Sequence, residues 1–294
     1  MPILNFGSCC IDHVYQVTHF ATPGETLLCS GYNVHPGGKG LNQSIAISAA
    51  GANIRHAGKI GEDGRWLIDL MKSKEIDVSL MKTGSKPTGH ANIQVTPEGE
   101  NSIVLFGGAN QTVSKKNVDD VLEETLPGEF LLIQNEISSL GYLIKKARQK
   151  KLRIVFNAAP MSNSVHMLPL DAIELLIVNE IEGFELTKKR KPNEMISNLL
   201  SRFTSINILL TLGSAGSIYA NKTTSILQPA QPVTAVDTTA AGDTFVGFFL
   251  ASYQAGSAIT DCLSLATRAA AICVTQRGAA TSIPSLEDLK SPKD

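Results

Sequence analysis

Short apolar runs and longer amphipathic segments alternate along this chain. The short runs are typical of buried strands and lie at residues 3–7, 53–60, 130–134, 152–156, 175–178 and 206–210. The longer segments predict helices over residues 40–50, 65–72, 114–125, 138–150, 241–254 and 258–273. Asp63 and Ser114 stand where the second and third of these helices would be capped. The alternation predicts an α/β fold with a mainly parallel sheet covered by helices.

Two segments interrupt this alternation. Residues 26–35 and 89–106 have strand-like sequences with no helical segment inside them. The second contains Thr-Pro-Glu-Gly-Glu-Asn at 96–101, a composition typical of a hairpin turn. These segments predict a small separate β sheet placed over the main domain.

The composition fits one large globular α/β domain of 294 residues, with 43% hydrophobic and 18% charged residues. The net charge of −1 leaves no basic field that would attract nucleic acid or an anionic membrane, so an anionic ligand must be held by local groups. No apolar run reaches the ~18 residues of a membrane span, and no secretory leader is visible. The five cysteines include no C-x-x-C pair, which indicates thiols in a reducing cytoplasm.

The segment Asp-Thr-Thr-Ala-Ala-Gly-Asp-Thr-Phe at 237–245 is the strongest candidate for a catalytic centre. Its small residues allow a tight turn, and a predicted helix begins within it. Backbone N–H groups of Ala240, Ala241 and Gly242 would point at an anion, which the helix dipole also favours. Asp243 could accept the proton of an attacking hydroxyl while those groups hold a transferring phosphoryl group. An ordinary helix cap with Asp243 in the first turn is the alternative.

The segment Pro-Gly-Gly-Lys-Gly-Leu-Asn-Gln at 36–43 is a second candidate. Its glycine pair lets the backbone approach a ligand closely, and Lys39 and Asn42 supply hydrogen-bond donors at one end of a predicted helix. It is not a Walker A loop, because glycine rather than Ser or Thr follows the lysine.

Two further segments follow predicted strands, where ligands bind in α/β sheets. Asn179 and Glu182 could organise magnesium through water, or they could simply begin a helix. The segment Thr-Leu-Gly-Ser-Ala-Gly at 211–216 offers hydroxyl and N–H groups to phosphates.

The order of these four segments resembles the ribokinase family, which includes the B-type phosphofructokinases and several nucleoside kinases. The likeness covers nearly the whole chain. The segments that are closer to the ribokinases than to other members lie at 23–26, 107–110 and 157–160. The resemblance implies a three-layer α/β/α sandwich over residues 1–294 as a single domain. It also implies a β lid formed by about 12–35 and 88–107.

The resemblance implies a role for each site residue. The sugar would contact Asp12, Gly37, Gly38, Lys39, Asn42, Glu136 and Asp243. Asp243 would be the catalytic base, beside an anion hole formed by Ala240, Ala241 and Gly242. The nucleotide would contact Asn179, Thr211, Gly213, Ser214, Gly216 and Gly242, with Thr267 near the adenine, and Glu182 would hold Mg²⁺ through water. A monovalent cation, usually K⁺, would bind Asp237, Thr239, Cys273, Gln276, Gly278 and Ser282, mostly through backbone carbonyls.

The chain departs from the family pattern near the expected sugar. Cys10 stands two residues before Asp12, where ribokinases have an asparagine that contacts sugar hydroxyls, and a thiol is a poor hydrogen-bond partner. His90 and Asn92, in the expected lid strand, are more polar than is typical there. The loss of the asparagine predicts weaker ribose binding, or a sugar that lacks or inverts one hydroxyl. His90 and Asn92 are each more often solvent-facing residues than ligands, and together with Cys10 they leave the identity of the sugar open.

The expected activity is phosphoryl transfer from Mg·ATP to a primary hydroxyl of a pentose or similar sugar, with K⁺ as activator. A nucleoside kinase of the same superfamily is the first alternative, although one Trp and few lid aromatics argue against a base pocket. A non-catalytic sugar-binding regulatory protein is the second, and the intact Asp243 argues against it. No nucleic acid or membrane partner is expected. A homodimer through the lid sheet, which would cover exposed strand edges, is an open option.

Overall fold

The computed structural model of this protein describes residues 1–290. Its strands are β1 (Ile3–Phe6), β2 (Cys10–Gln16), β3 (Gly31–Gly37), β4 (Ile54–Ile60), β5 (Met81–Thr83), β6 (Gly89–Val95), β7 (Asn101–Phe106), β8 (Phe130–Gln134), β9 (Arg153–Asn157), β10 (Leu175–Asn179), β11 (Asn207–Thr211), β12 (Ser217–Ala220) and β13 (Ser225–Gln228). Its α-helices are α1 (Lys39–Ala49), α2 (Arg65–Ser73), α3 (Lys115–Glu123), α4 (Leu140–Gln149), α5 (Glu180–Thr187), α6 (Pro192–Arg202), α7 (Ala241–Gln254), α8 (Ile259–Cys273) and α9 (Leu286–Lys290).

The main sheet has the strand order β13-β12-β11-β10-β9-β8-β1-β4-β5 within the described residues. The strands from β5 to β11 in this order run parallel, whereas β12 and β13 continue the sheet in antiparallel fashion at one edge. Parallel strands end at the same edge of a sheet, so the segments that follow β1, β8, β10 and β11 meet there. That shared edge is where the predicted site segments converge.

Helices cover both faces of this sheet because successive strand residues alternate between two apolar cores. In β8, Leu131 and Ile133 belong to one core, and Phe130 and Leu132 belong to the other. The first core packs against α3 to α6, and the second against α1, α2, α7 and α8. The predicted three-layer α/β/α sandwich is confirmed.

The second sheet has the order β3-β2-β6-β7. The hairpin predicted at 96–101 joins β6 to β7, where the Thr96 N–H donates to the Glu100 carbonyl at 3.0 Å. The strand predicted over 26–35 is shorter than expected, because the mostly exposed residues before Gly31 make no ladder. β2 was not predicted as a strand, since its polar and apolar residues do not alternate cleanly.

Asp63 does not cap α2. Its Oδ1 accepts the Thr88 N–H at 2.9 Å and the Thr88 hydroxyl at 2.8 Å, which ties the start of α2 to the residue before β6. Gly64 stands at the N-cap position, with no side-chain cap. Ser114 caps α3 as predicted, in a reciprocal capping box with Asn117.

Besides β2, the hydrophobic pattern missed β5, α5, α6, β12, β13 and α9. Of these, α5, α6, β12 and β13 occupy the region between β10 and α7. The basic run at 188–191 is an exposed loop between α5 and α6. Within residues 1–290, no helix is both long and apolar enough to cross a membrane.

Candidate active site

The turn between β3 and α1 needs glycine because neighbouring groups press against it. Gly38 has a φ of 92°, a left-handed conformation that glycine adopts without strain. A Cβ at Gly40 would lie 2.3 Å from the Ser8 amide nitrogen, and one at Gly37 would lie 2.2 Å from an Asp12 carboxylate oxygen. The turn is therefore held tightly against the connection from β1 to β2, at the edge where the parallel strands end.

Asp243 lies in the first turn of α7 and is only 6% exposed. Its Oδ1 accepts from Gln43 Nε2 at 2.8 Å, and its Oδ2 accepts from Asn42 Nδ2 at 3.1 Å. Ala240, with a φ of 60°, precedes the helix as its N-cap residue. A Cβ at Gly242 would meet no described heavy atom within 4 Å, so this residue borders open space. The first N–H groups of a helix lack intrahelical partners, and α7 therefore offers donors to an anion beside this carboxylate.

Lys39 lies near the carboxylates of Asp243, Glu136 and Glu182. Its backbone N–H donates to Glu136 Oε2 at 2.9 Å, and the same oxygen accepts from the Ser8 hydroxyl. The negative charge of Asp243 raises the pKa of Lys39, against the opposing effect of burial. Burial raises the pKa of Glu136, and burial together with the charge of Glu136 raises the pKa of Asp12 to about 6. Such a set of acceptors around one ammonium group suits a ligand rich in hydroxyls.

One cavity at the carboxyl-end edge joins the predicted base, sugar and nucleotide positions. Its lining includes Lys39, Asn179, Glu182, Thr211, Gly242 and Asp243. These residues come from α1, β10, α5, β11 and α7, and tertiary structure alone brings them together.

Asn179 and Glu182 form a capping box at the start of α5. Asn179 Oδ1 accepts the Glu182 N–H at 2.9 Å, and Glu182 Oε2 accepts the Asn179 N–H at 2.7 Å. Burial raises the pKa of Glu182. Asn179 and Glu182 therefore do begin a helix, and the box also fixes the Glu182 carboxylate in the cavity wall.

The turn at 211–216 follows β11 and leaves polar backbone exposed. Gly213 and Ser214 are exposed, and a Cβ at Gly213 would meet no described heavy atom within 4 Å. Gly216 is different: it has a φ of 104°, and a Cβ there would collide with the backbone that follows β13. The turn thus packs against the backbone at the end of β13 at Gly216, and it faces open space at Gly213.

The loop after α8 folds back onto the segment before α7. Asp237 Oδ1 accepts the Thr239 N–H at 2.9 Å, and Oδ2 accepts the Gly278 N–H at 3.0 Å. Although partial burial opposes the effect, these hydrogen bonds lower the pKa of Asp237. The Ser282 hydroxyl donates to the Gly278 carbonyl at 2.7 Å and lies 3.2 Å from Cys273 Sγ. These five predicted cation positions therefore meet in one place.

Two predicted site residues, Gln276 and Thr267, belong neither to the cavity nor to the cluster around Asp237. Gln276 is exposed, and its N–H donates to the Cys273 carbonyl at 3.1 Å. Thr267 is buried in α8 and does not line the cavity; its Oγ1 has no hydrogen-bond partner within residues 1–290.

The strand register of the second sheet decides which side chains share a face with Asp12. Asp12 is paired with His35 on β3 and with Ala91 on β6, and paired residues point to the same face. His90 and Asn92 lie on the opposite face because side chains alternate along a strand. This register agrees with the interpretation of His90 and Asn92 as residues that do not face Asp12. His35, which the sequence did not single out, stands beside Asp12 instead.

Cys10 is on the same face as Asp12, and its thiol already has a partner. Asn110 Nδ2 donates to the Cys9 carbonyl at 2.9 Å and lies 3.5 Å from Cys10 Sγ. Cys10 is 3% exposed. A buried amide thus stands behind the thiol, where it holds the start of β2.

A family model for the pfkB family of carbohydrate kinases matches residues 3–286 of the chain. The chain belongs to the PfkB family of carbohydrate kinases. The class of enzyme expected from the sequence is confirmed. The ribokinase of Staphylococcus aureus (strain COL) is 33% identical to this PfkB chain, over 98% of each of the two chains.

Solved ribokinase structures share the fold of this PfkB chain. The ribokinase of Thermotoga maritima is 32% identical, covers 99% of this chain with 98% of its own, and superposes with a TM-score of 0.88. The Arabidopsis thaliana ribokinase, complexed with ribose and ATP, is 26% identical, covers 98% of this chain with 97% of its own, and has a TM-score of 0.86.

Three polar residues behind the site of this PfkB chain were missed at the sequence level. Ser8 holds Glu136, Gln43 holds Asp243, and Gln134 holds Gln43. Gln134 ends a buried strand two residues before Glu136, and this polar residue in an apolar run was the available signal.

Proposed function

We propose that this protein transfers the terminal phosphoryl group of ATP to a hydroxyl, most simply the primary one, of a pentose or similar sugar. Membership of a carbohydrate kinase family and the likeness to ribokinases support this proposal. The observation that supports this proposal most directly is the environment of Asp243. The Asp243 carboxylate is held by two amides at the start of α7, in a cavity that also contains Lys39.

The sugar would contact Asp12, Lys39, Asn42 and Glu136, with the glycine pair Gly37 and Gly38 allowing close approach of the backbone. Asn42 Oδ1 is buried and has no hydrogen-bond partner within residues 1–290. A sugar hydroxyl would satisfy that acceptor. The carboxylates of Asp12 and Glu136 can accept hydrogen bonds from the sugar hydroxyls, and the Lys39 ammonium can donate hydrogen bonds to the oxygens of those hydroxyls.

Asp243 would act as the general base that takes the proton of the attacking hydroxyl. The N–H groups at Ala240, Ala241 and Gly242 would stabilise the charge that develops on the transferring phosphoryl group. In phosphoryl transfer the protein mainly positions the reactants and stabilises charge.

The nucleotide would lie along the exposed turn of Gly213 and Ser214, beside Asn179 and Thr211. Glu182 would hold Mg²⁺ through water, and its fixed, buried carboxylate fits a hard cation. When bound, that ion neutralises phosphate charge. The unpartnered hydroxyl of Thr267 supports a place for the adenine next to α8.

We also propose a monovalent cation site at Asp237, Thr239, Cys273, Gln276, Gly278 and Ser282. A carboxylate with nearby backbone carbonyls is a donor set that suits a hard cation. We further propose a cytoplasmic location, which the free cysteines of the described chain support. We also propose homodimerisation through the lid sheet.

The Asp243→Asn variant tests the proposed base. Asparagine keeps the shape and cannot take a proton, so turnover should fall by a factor of about 10² to 10⁴ while sugar binding persists. A coupled ADP-release assay measures this over a panel of pentoses, hexoses and nucleosides. Asp261→Asn, in the first turn of α8, is the matched control and should leave turnover unchanged.

Three results would contradict the proposal. If Asp243→Asn keeps more than about a tenth of wild-type turnover, Asp243 is not the base. Turnover with nucleosides alone would favour the nucleoside kinase. No turnover across the panel, combined with sugar-dependent thermal stabilisation, would favour a non-catalytic binding protein.

A further inference from the structure

A chain of buried amide side chains runs behind Asp243. Gln43 Nε2 donates to Asp243 Oδ1 at 2.8 Å, and Gln134 Nε2 donates to Gln43 Oε1 at 2.7 Å. Gln134 Nε2 also donates to Asn5 Oδ1 at 3.0 Å, and Asn5 Nδ2 donates to the Gly40 carbonyl at 2.7 Å. Asn5, Gln43 and Gln134 have no solvent exposure. This chain of amide side chains thus joins Asp243 to the glycine–lysine turn through the interior of the protein.

The two ends of this chain fix the orientation of every amide between them. An ionised carboxylate only accepts hydrogen bonds, so Gln43 must turn its amino group to Asp243 and its carbonyl to Gln134. The Gly40 carbonyl likewise only accepts, so Asn5 must turn its amino group to it and its carbonyl to Gln134. Gln134 can therefore present only its amino group to both neighbours. A rotation of any one amide would place two acceptors or two donors against each other.

The far end of the chain is anchored by a buried histidine. Asn5 Nδ2 also donates to Ser44 Oγ at 2.8 Å, and Ser44 Oγ lies 2.7 Å from His56 Nδ1. Burial lowers the pKa of His56 to about 4. A neutral His56 with its proton on Nε2 accepts the Ser44 hydroxyl at Nδ1, while the Ser44 oxygen accepts from Asn5 Nδ2. The donors of the network then all point away from Gln134, and Gln134 Oε1 is left buried without a hydrogen-bond partner within residues 1–290.

We propose that Gln43 is a positioning residue for the catalytic base, and that Gln134 and Asn5 hold Gln43 in its donating orientation. The inference rests on the proposed function, because it assigns Asp243 as the base. Gln43 fixes one carboxylate oxygen while Asn42, beside the sugar, holds the other. Because the same amide chain ends on the Gly40 carbonyl, the base and the glycine–lysine turn keep a constant relative placement.

Gln134→Met tests this role at a residue that does not touch Asp243. Methionine has a similar length but cannot donate, so Gln43 becomes free to rotate. We expect kcat to fall by about 10-fold or more, since a hydrogen bond to a charged group is worth about one or two powers of ten. The KM values for sugar and ATP should stay within about threefold, because no substrate contact changes. Initial rates at saturating substrates measure both.

A pH profile separates positioning from a structural effect. Gln43→Met removes a donor that favours the ionised carboxylate, so the acid limb of kcat should move up by about one pH unit or more. The other charged and titratable groups near Asp243 are Lys39, Glu136, Glu182 and Cys273, and they are unchanged in this variant.

The matched control is Asn207→Leu, at the start of β11. Asn207 also holds partly buried partners, namely the Glu174 carbonyl and the Tyr219 hydroxyl, at the opposite end of the sheet. The Asn207→Leu substitution should lower thermal stability and leave the pH of the acid limb of kcat unchanged. If Gln134→Met does not fold, Gln134→Glu replaces it, since a buried neutral carboxyl keeps one donor and should give a smaller loss of kcat.

A folded Gln43→Met or Gln134→Met protein with wild-type kcat and acid limb would overturn the inference. Failure of the proposed function looks different, because wild type itself would then show no sugar kinase activity. An equal loss of kcat in Asn207→Leu would also overturn it, by showing a general loss of stability.

Discussion

At the scale of single residues, Asp12 stands out as a carboxyl group with a raised pKa. Burial and the nearby charge of Glu136 raise its pKa to about 6. At neutral pH the group is mostly ionised, and it loses its charge as the pH falls through 6. His35 and Ala91 are paired with it in the lid sheet, and Ala91 has no side-chain acceptor for hydrogen bonds from hydroxyls.

The raised pKa of Asp12 predicts a pH-dependent affinity for the sugar. Below about pH 6 the carboxyl is protonated, so the KM for sugar should rise by about tenfold per pH unit while kcat at saturation changes less. Asp12→Asn should raise that KM about 10- to 100-fold at pH 7.5 and remove its pH dependence, since a charge-assisted hydrogen bond is worth about 1.5–3 kcal/mol.

Initial rates between pH 5 and 8 at saturating ATP measure this prediction. Glu25→Gln, in the segment between β2 and β3, is the control; the Thr22 N–H helps lower the pKa of Glu25, so its charge is constant over this range. A wild-type KM for sugar that is flat from pH 5 to 8 would contradict the role given to Asp12.

At the scale of elements, the α7 N-terminus depends on the loop that follows α8. Asp237 is linked to Gly278, and the Val236 N–H donates to the Val274 carbonyl at 2.7 Å. The Thr244 hydroxyl donates to Cys273 Sγ at 3.3 Å. Movement of this loop would therefore displace the turn that carries the proposed anion hole.

The proposed cation site predicts activation by K⁺. A cation between the loop and the turn would add positive charge beside the anion hole, so KCl should raise turnover severalfold over choline chloride at equal ionic strength. Asp237→Asn should lose that activation, because it removes the only proposed carboxylate ligand. Asp261→Asn serves again as the control. Equal wild-type rates in the two salts would exclude the cation site.

At the scale of the whole molecule, the lid sheet leaves apolar surface uncovered. The side chains of Tyr32, Val34, Val104 and Phe106 are 51%, 44%, 68% and 49% exposed, and the strand register puts them on the face opposite Asp12. β3 and β7 are also the free edges of this sheet. An exposed apolar face with open edges is a site for association.

We expect the protein to be a dimer whose interface includes this lid face. Val104→Asp with Phe106→Asp should give a monomer in light scattering after size exclusion at micromolar concentration, because charges would be buried in the interface. The control is Leu126→Asp with Met167→Asp, at apolar residues that are 63% and 80% exposed elsewhere. A monomeric wild type would show that the lid face does not mediate dimerisation.

The sequence was sufficient where local pattern and local chemistry agree. Buried strands such as β8, and helices such as α7 and α8, have strong apolar periodicity and were predicted closely. The tight turns that precede α1 and α7 were expected because short glycine and alanine motifs have few backbone solutions. Membership of the carbohydrate kinase family also followed from these motifs in order.

Tertiary structure decided what depends on register and on distant partners. A shift of one residue along a strand moves a side chain to the other face, so only the pairing of β2 with β6 shows that Ala91, rather than His90 or Asn92, shares the face of Asp12. The hydrogen bonds from Thr88 to Asp63 and the series of amides from Asp243 to Gly40 join residues far apart in sequence. Sequence periodicity reports burial, but it does not report which buried polar group meets which.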